Sequence, residues 1–437
     1  MKIARRGFAA SILPPGSKSE PRRAVEGPPR RGGSGIAGWA LCGGFALCSP
    51  VSATLAVADQ PSFVQDGKAG FVVAYIEYAL SRDAKDTRAC PDGMTQGIRN
   101  EGPAYGPGSG AGGQRPEGVS QEEAQRRFLA ALNGPNGQNV CMNPEASKPD
   151  PNYRTVKIPG TQAYGIDLDG RDSRAKGKPA PGTCAHDDLV GMNGERGIDN
   201  QFYRVVGCSA SFQSTGQSNT YNIEMLTGSW GILITLSGVD DIRNDDSVDV
   251  GIYANGDPIE LSPTREPLVN ATYAIDQDPR FQAKARGRIV KGVLTTDPVD
   301  VRFHWIVNSI RLERPLRDAR VQMTLTEGGV LEGYMAGYTP VEAMYDLQFG
   351  YRDGKDANGQ PAPLRLRAGS AMGAARVLGH TCNGTYYALH ELADGHPDPA
   401  SGKCTSISTQ YRLKAIPAFV VDAKTQSINE DLERARK

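Results

Sequence analysis

The chain has 437 residues, 49 of them basic and 49 acidic. It is long enough for one large domain or two to three ordinary ones with a sizeable core. The zero net charge is a cancellation: residues 1–58 hold eight basic and two acidic residues, leaving 41 basic against 47 acidic beyond Ala58. A mildly acidic body argues against a nucleic-acid partner, which needs a basic face. The 52 glycines and 30 prolines imply many turns and favour short strands over long helices.

The first 58 residues read as an export signal that is removed. Arg30 and Arg31 precede an apolar stretch from Ile36 to Leu47, about 12 residues and too short to span a bilayer comfortably. Ala56-Val57-Ala58 then supplies the small-x-small pattern of a signal-peptidase site. A long polar stretch precedes the apolar one, so either the true start lies downstream or Arg5-Arg6-Gly7-Phe8 marks a twin-arginine route. The expected location is periplasmic or secreted, with no transmembrane segment in the mature chain.

Six cysteines remain beyond that segment: Cys90, Cys141, Cys184, Cys208, Cys382 and Cys404. An even number in an exported chain reads as a disulfide framework. Pairing nearest neighbours (Cys90–Cys141, Cys184–Cys208 and Cys382–Cys404) would tie three loop-rich stretches. No CxxC pair points instead to zinc or haem.

Residues 59–160 form a Gly/Pro-rich N-terminal region. The Phe71–Ile76 run suits a buried strand or short helix, and 91–118 reads as an exposed loop. Ser120 and Glu123 form a capping box for a helix that Asn133-Gly134-Pro135 ends. Residues 161–437 form a β-rich main body. Phe202–Val206 reads as a short extended segment, 231–236 as a continuous strand, and 248–253 as an alternating one ending in a hairpin turn at Asn255-Gly256. Strands continue through 301–312 and 319–335. Gly287–Leu294 aligns with Gly328–Met335 as a possible duplicated hairpin, chance similarity being the alternative. Helices are expected at 340–352, starting at Pro340, at 363–378 and at 427–437. The fold expected is mainly β: a sandwich or jelly-roll-like body with a few helices and long disulfide-stapled loops.

No catalytic motif stands out. The strongest constellation is Asp167, Asp169 and Asp172 across a Gly170 turn, with Asp187, Asp188, Asp199 and Asn200 following, a set of hard oxygen ligands suited to calcium. The spacing is not that of an EF-hand, and turn aspartates bonding their own backbone are the commoner explanation of such a pattern. Asp240, Asp241, Asp245, Asp246 and Asp249 read as a solvated turn. His380, His390 and His396 lie in or beside the last cysteine loop and offer an alternative metal centre for an exported hydrolase. Neither HExxH nor GxSxG nor a phosphate-binding glycine motif is present. The function expected is therefore an exported binding or structural protein for an extracytoplasmic ligand or protein the sequence does not name, stabilised by calcium. The alternative is a metal-dependent hydrolase using the three histidines.

Overall fold

The computed structural model describes residues 62–81, 89–95, 120, 122–123, 140–173, 184, 186–209, 212, 222–228, 230–307, 310–351, 358–360, 365–366 and 381–422. The expected export segment, most of the stretch read as a loop at 91–118, the body of the helix expected after Ser120, most of 363–378, His380 and 427–437 lie outside the described residues. The Glu123 amide does donate to Ser120 Oγ, as the capping box requires.

In chain order the elements are β1 (Lys68–Tyr78), α1 (Gln201–Val206), β2 (Ile232–Ser237), β3 (Asn244–Ala254), β4 (Thr272–Ala274), β5 (Gln282–Val290), β6 (Val293–Thr296), β7 (Val299–Val307), β8 (Ile310–Leu325) and β9 (Leu331–Pro340). There follow α2 (Val341–Phe349), β10 (Gly350–Tyr351), β11 (Arg365–Leu366), α3 (Cys382–Glu391), β12 (Gly395–Pro397), β13 (Cys404–Pro417) and β14 (Phe419–Val421). The molecule is mostly β. The main sheet is antiparallel and runs β1-β2-β3-β5-β6-β8-β9-β13, and β13 pairs back onto β1. That last pairing closes a ring of eight strands and leaves the ring without an open edge. β7 continues the line of β6 along the other half of β8, and β12 occupies the remaining edge of β13.

Alternation decides what faces inward. On β2, Ile232, Ile234 and Leu236 enter the main core, whereas Leu233 faces out. β1 uses a bulge to do the same with an irregular sequence. Phe71 and Val73 point in, the register slips between Val73 and Tyr75, and Ile76 and Tyr78 then point in. One continuous core joins this interior to Phe202, Val205 and Val206 of α1 and to residues of α2 and α3. Each large apolar side chain fully buried there contributes about 1.5–3 kcal/mol. Two smaller apolar pads lie on the outside of the ring. One, around Val72, Leu233, Tyr253 and Ile416, is covered by the 255–275 connection and β14. The other joins Ile166 and Leu168 to Ala336 of β9, with Tyr334 and Tyr338 beside it.

Several expectations are corrected. Phe202–Val206 is helical, because the Asn200 carboxamide caps the Tyr203 amide and every residue of the turn is buried, so an apolar run carries no strand periodicity. Asn255-Gly256 does not make a hairpin: Asn255 is enclosed, its side chain bonds both the amide and the carbonyl of Asp257, and the chain leaves the sheet for the 255–275 connection. The aligned Gly287 and Gly328 segments are out of phase. Gly292 sits in the β5–β6 turn at φ 77°, whereas its counterpart Gly333 lies within β9. Arg365–Leu366 is a strand pairing with Gly350–Tyr351, where a helix was expected.

The cysteine pairing is also corrected. The bridges are Cys90–Cys208, Cys141–Cys382 and Cys184–Cys404, with Cα separations of 5.7, 5.0 and 5.6 Å. None joins nearest neighbours. Each ties the 89–208 region to a distant element or to its own far end, and two of them anchor it to α3 and β13. On the chain-entropy model a single closure of this length stabilises by about 5 kcal/mol, before any native strain.

Candidate functional site

The segment 163–173 lies across the outer face of β9 and β13. Gln410 of β13, almost fully buried, fixes it: its carboxamide accepts from the Ile166 amide at 2.9 Å and donates to the Ile166 carbonyl at 2.7 Å. Gly165 stands at φ 149° directly over that carboxamide, where a side chain would collide with it. Beyond this point burial alternates along the segment, Ile166 and Leu168 being buried and Asp167 and Asp169 not. Ile166 and Leu168 turn down onto Ala336, and the intervening Asp167 and Asp169 turn away from that pad. Gly170, at φ 75°, then reverses the chain.

Asp199 completes the group from a second segment. Its amide donates to the Ile166 carbonyl, and its Oδ2 accepts from Leu168 N at 2.6 Å and Asp169 N at 3.3 Å. The carboxylates of Asp167, Asp169 and Asp199 offer oxygens that all lie within 4.8 Å of one another. Two calcium ligands on opposite sides of an ion stand about 4.6–5.2 Å apart, so the three oxygens fit around one point. Asp167 Oδ1 also accepts from Gly170 N at 2.7 Å, and Asp169 Oδ1 from Arg171 N at 2.8 Å.

The surroundings are acidic. Burial, opposed by the Leu168 amide and reinforced by Asp394, Asp169 and Asp188, pushes the Asp199 carboxyl up to about 8. Burial likewise pushes Asp394 up to about 7, against the hydrogen bond from Ser408. Asp167 and Asp188 are raised in the same direction, chiefly by burial. The phenol of Tyr338 is raised by burial and by Asp199, Asp394, Asp169 and Asp318. Among the described residues no lysine or arginine pairs with Asp167, Asp169 or Asp199.

The other expected ligands go elsewhere. Asp172 pairs with Arg196 at 2.5 Å. Asn200 is a structural residue: besides capping α1, its amide nitrogen donates to the carbonyls of Ala79 and Tyr164 at 2.5 and 3.1 Å. His390 and His396 have different partners, Glu342 and Asp318, each at 3.2 Å. Among the described residues no histidine joins a metal-spaced group, and His380 lies outside them. In the second acidic run, Asp241 and Asp245 bond nearby backbone amides and Asp249 pairs with Arg286. The sequence offered Asp188 beside this group but no sign of Asp394 or Tyr338 in it. Asp394 arrives from just before β12, Tyr338 from β9 and Asp188 from a separate loop, and only the tertiary fold brings them near. No family model, curated protein or solved structure matches the chain.

Proposed function

We propose that this is an exported, disulfide-stapled β-barrel protein that binds an extracytoplasmic ligand or protein and uses a divalent cation of the calcium type to order the 163–173 segment. The observation that carries the cation reading is the convergence of Asp167, Asp169 and Asp199 oxygens within 4.8 Å, on a segment whose backbone is already fixed by Gln410. A bound cation would offset both the burial and the neighbouring carboxylate charge that raise Asp199 and Asp394. Three long-range disulfides support maturation in an oxidising space. Among the described residues no helix is long and apolar enough to cross a membrane. The export signal ending at Ala58 fits that setting.

The test is titration calorimetry of the chelator-stripped protein with calcium, beside an Asp167→Asn/Asp169→Asn variant. The expected result is one ion per chain for the parent and none for the variant. Saturation at about 100 times Kd should add about 2.7 kcal/mol of stability. A parent protein that takes up neither calcium, magnesium nor manganese would overturn the reading.

A further inference from the structure

The three disulfides differ in one respect that bears on this site. Cys90, Cys141, Cys208 and Cys382 are all at most 5% exposed, whereas Cys184 and Cys404 are both partly exposed. Thiol–disulfide exchange needs access of an attacking thiolate to sulfur, so exposure separates inert bridges from labile ones. The exposed bridge also occupies a distinctive place. Cys404 opens β13 opposite Pro397 of β12, the strand that follows Asp394. Cys184 precedes the stretch His186–Asp188, whose Asp188 carboxylate acts on Asp199 of the acidic group.

With the bridge closed, His186–Asp188 is held from its leading end. Without the bridge, it is held among the described residues by His186 Nε2 with the Ala393 carbonyl at 3.0 Å, and by the Asp187 carbonyl with Gln201 and Arg204 at 3.2 and 2.6 Å. Asp188 keeps its reciprocal bonds with Ser173. From Leu189 onward the chain is secured independently, since Leu189 and Ile198 exchange both backbone bonds. Slack introduced at Cys184 therefore reaches Asp188 and stops at Leu189.

The geometry points to Cys184–Cys404 as a redox clasp, opened by an external dithiol ahead of the two buried bridges, whose opening loosens Asp188 at the flank of the carboxylate group. In the exchange a thiolate of the dithiol attacks one sulfur of this bridge and expels the other as a thiolate. The second thiol of the reductant then attacks the mixed disulfide. The reductant leaves as a disulfide, and the protein gains two electrons and two protons as two thiols. A weaker grip on the cation would follow, a consequence that rests on the proposed function.

Native protein treated with graded dithiothreitol, alkylated with a mass tag and peptide-mapped tests the order of opening. Tags are expected on Cys184 and Cys404 while the other four cysteines stay protected. Another bridge opening first, or all three together, would overturn the clasp. A Cys184→Ser/Cys404→Ser variant reports the consequence by hydrogen exchange. The Asp188 amide should exchange at least ~10-fold faster than in the parent while the Leu189 amide is unchanged. Equal Asp188 rates would refute the loosening, and if the variant does not fold, the labelling order on the parent protein still decides. Failure of the oxidised parent to bind calcium would remove the proposed cation and leave the labelling result untouched.

Discussion

Asp199 is nearly enclosed, takes two backbone amides on one oxygen, and shares its surroundings with several other carboxylates. Its folded-state pKa, pushed to about 8, lies far above the roughly 3.9 of an unfolded aspartate. Between those values the folded protein keeps a proton that the unfolded chain has released. The stability it contributes is therefore complete below about pH 4 and is lost as pH rises through about 8, by up to about 1.4 kcal/mol per pH unit for each such proton. Asp394 adds to the same slope up to about 7, and the two titrate as a coupled set. In chelator-treated protein, urea unfolding followed from pH 5 to 8 should show this decline. Asp199→Asn should flatten it, and saturating calcium should suppress it in the parent. Parallel slopes for parent and variant would show that the carboxyl is not held protonated. Asn200 behaves differently despite its neighbour. Asn200→Ala removes a helix cap and two buried amide bonds and should cost about 2–4 kcal/mol in denaturant unfolding, with calcium stoichiometry unchanged. Sequence alone displayed the Asp167/Asp169 alternation and the Gly170 turn, because those are local. It could not separate Asp199 from Asn200, since their roles depend on which side of one backbone turn each side chain leaves.

Strands were legible where alternation or a continuous β-branched run persisted, as in β2, β3, β8 and β9. Legibility failed for α1 and α3, for opposite reasons. In α1 every residue is buried, so no polar face reveals a helical period. In α3 the sequence Cys382–Glu391 is polar and glycine-containing, and its helix is held by tertiary contacts: Tyr387 Oη to the Ser147 carbonyl, Asn383 to the Lys148 carbonyl and the Cys141 bridge. Glycines inside strands carry their own message. A Cβ on Gly333 would fall on the Gln322 carbonyl oxygen and close to Met323 Cα, so β8 and β9 approach there more closely than two side-chain-bearing strands allow. Gly333→Ala should destabilise by about 1–3 kcal/mol in thermal or urea unfolding. By contrast Gly402→Ala, in an open turn, should cost only what its φ of 68° imposes, about 1–2 kcal/mol. Equal stability of Gly333→Ala and the parent would mean that β8 and β9 are not so tightly apposed.

At the scale of the whole molecule, the ring closes because β1, near the start of the described chain, pairs with β13, near its end. The outer region between them in sequence is then fastened by bridges that span 118, 241 and 220 residues. Spacing along the chain favours nearest-neighbour pairing, but it contains no information about a ring closure more than 300 residues apart. That closure brings β13, with Cys404, against the segment carrying Cys184, and places α3, with Cys382, beside Cys141. The mainly-β character was legible from composition and periodicity, whereas the topology that selects the cysteine partners was not. Non-reducing peptide mapping by mass spectrometry of the native protein tests this arrangement most directly. Cross-linked peptides should contain Cys90 with Cys208, Cys141 with Cys382, and Cys184 with Cys404. Six free thiols, or peptides linking Cys90 to Cys141 and Cys382 to Cys404, would contradict it.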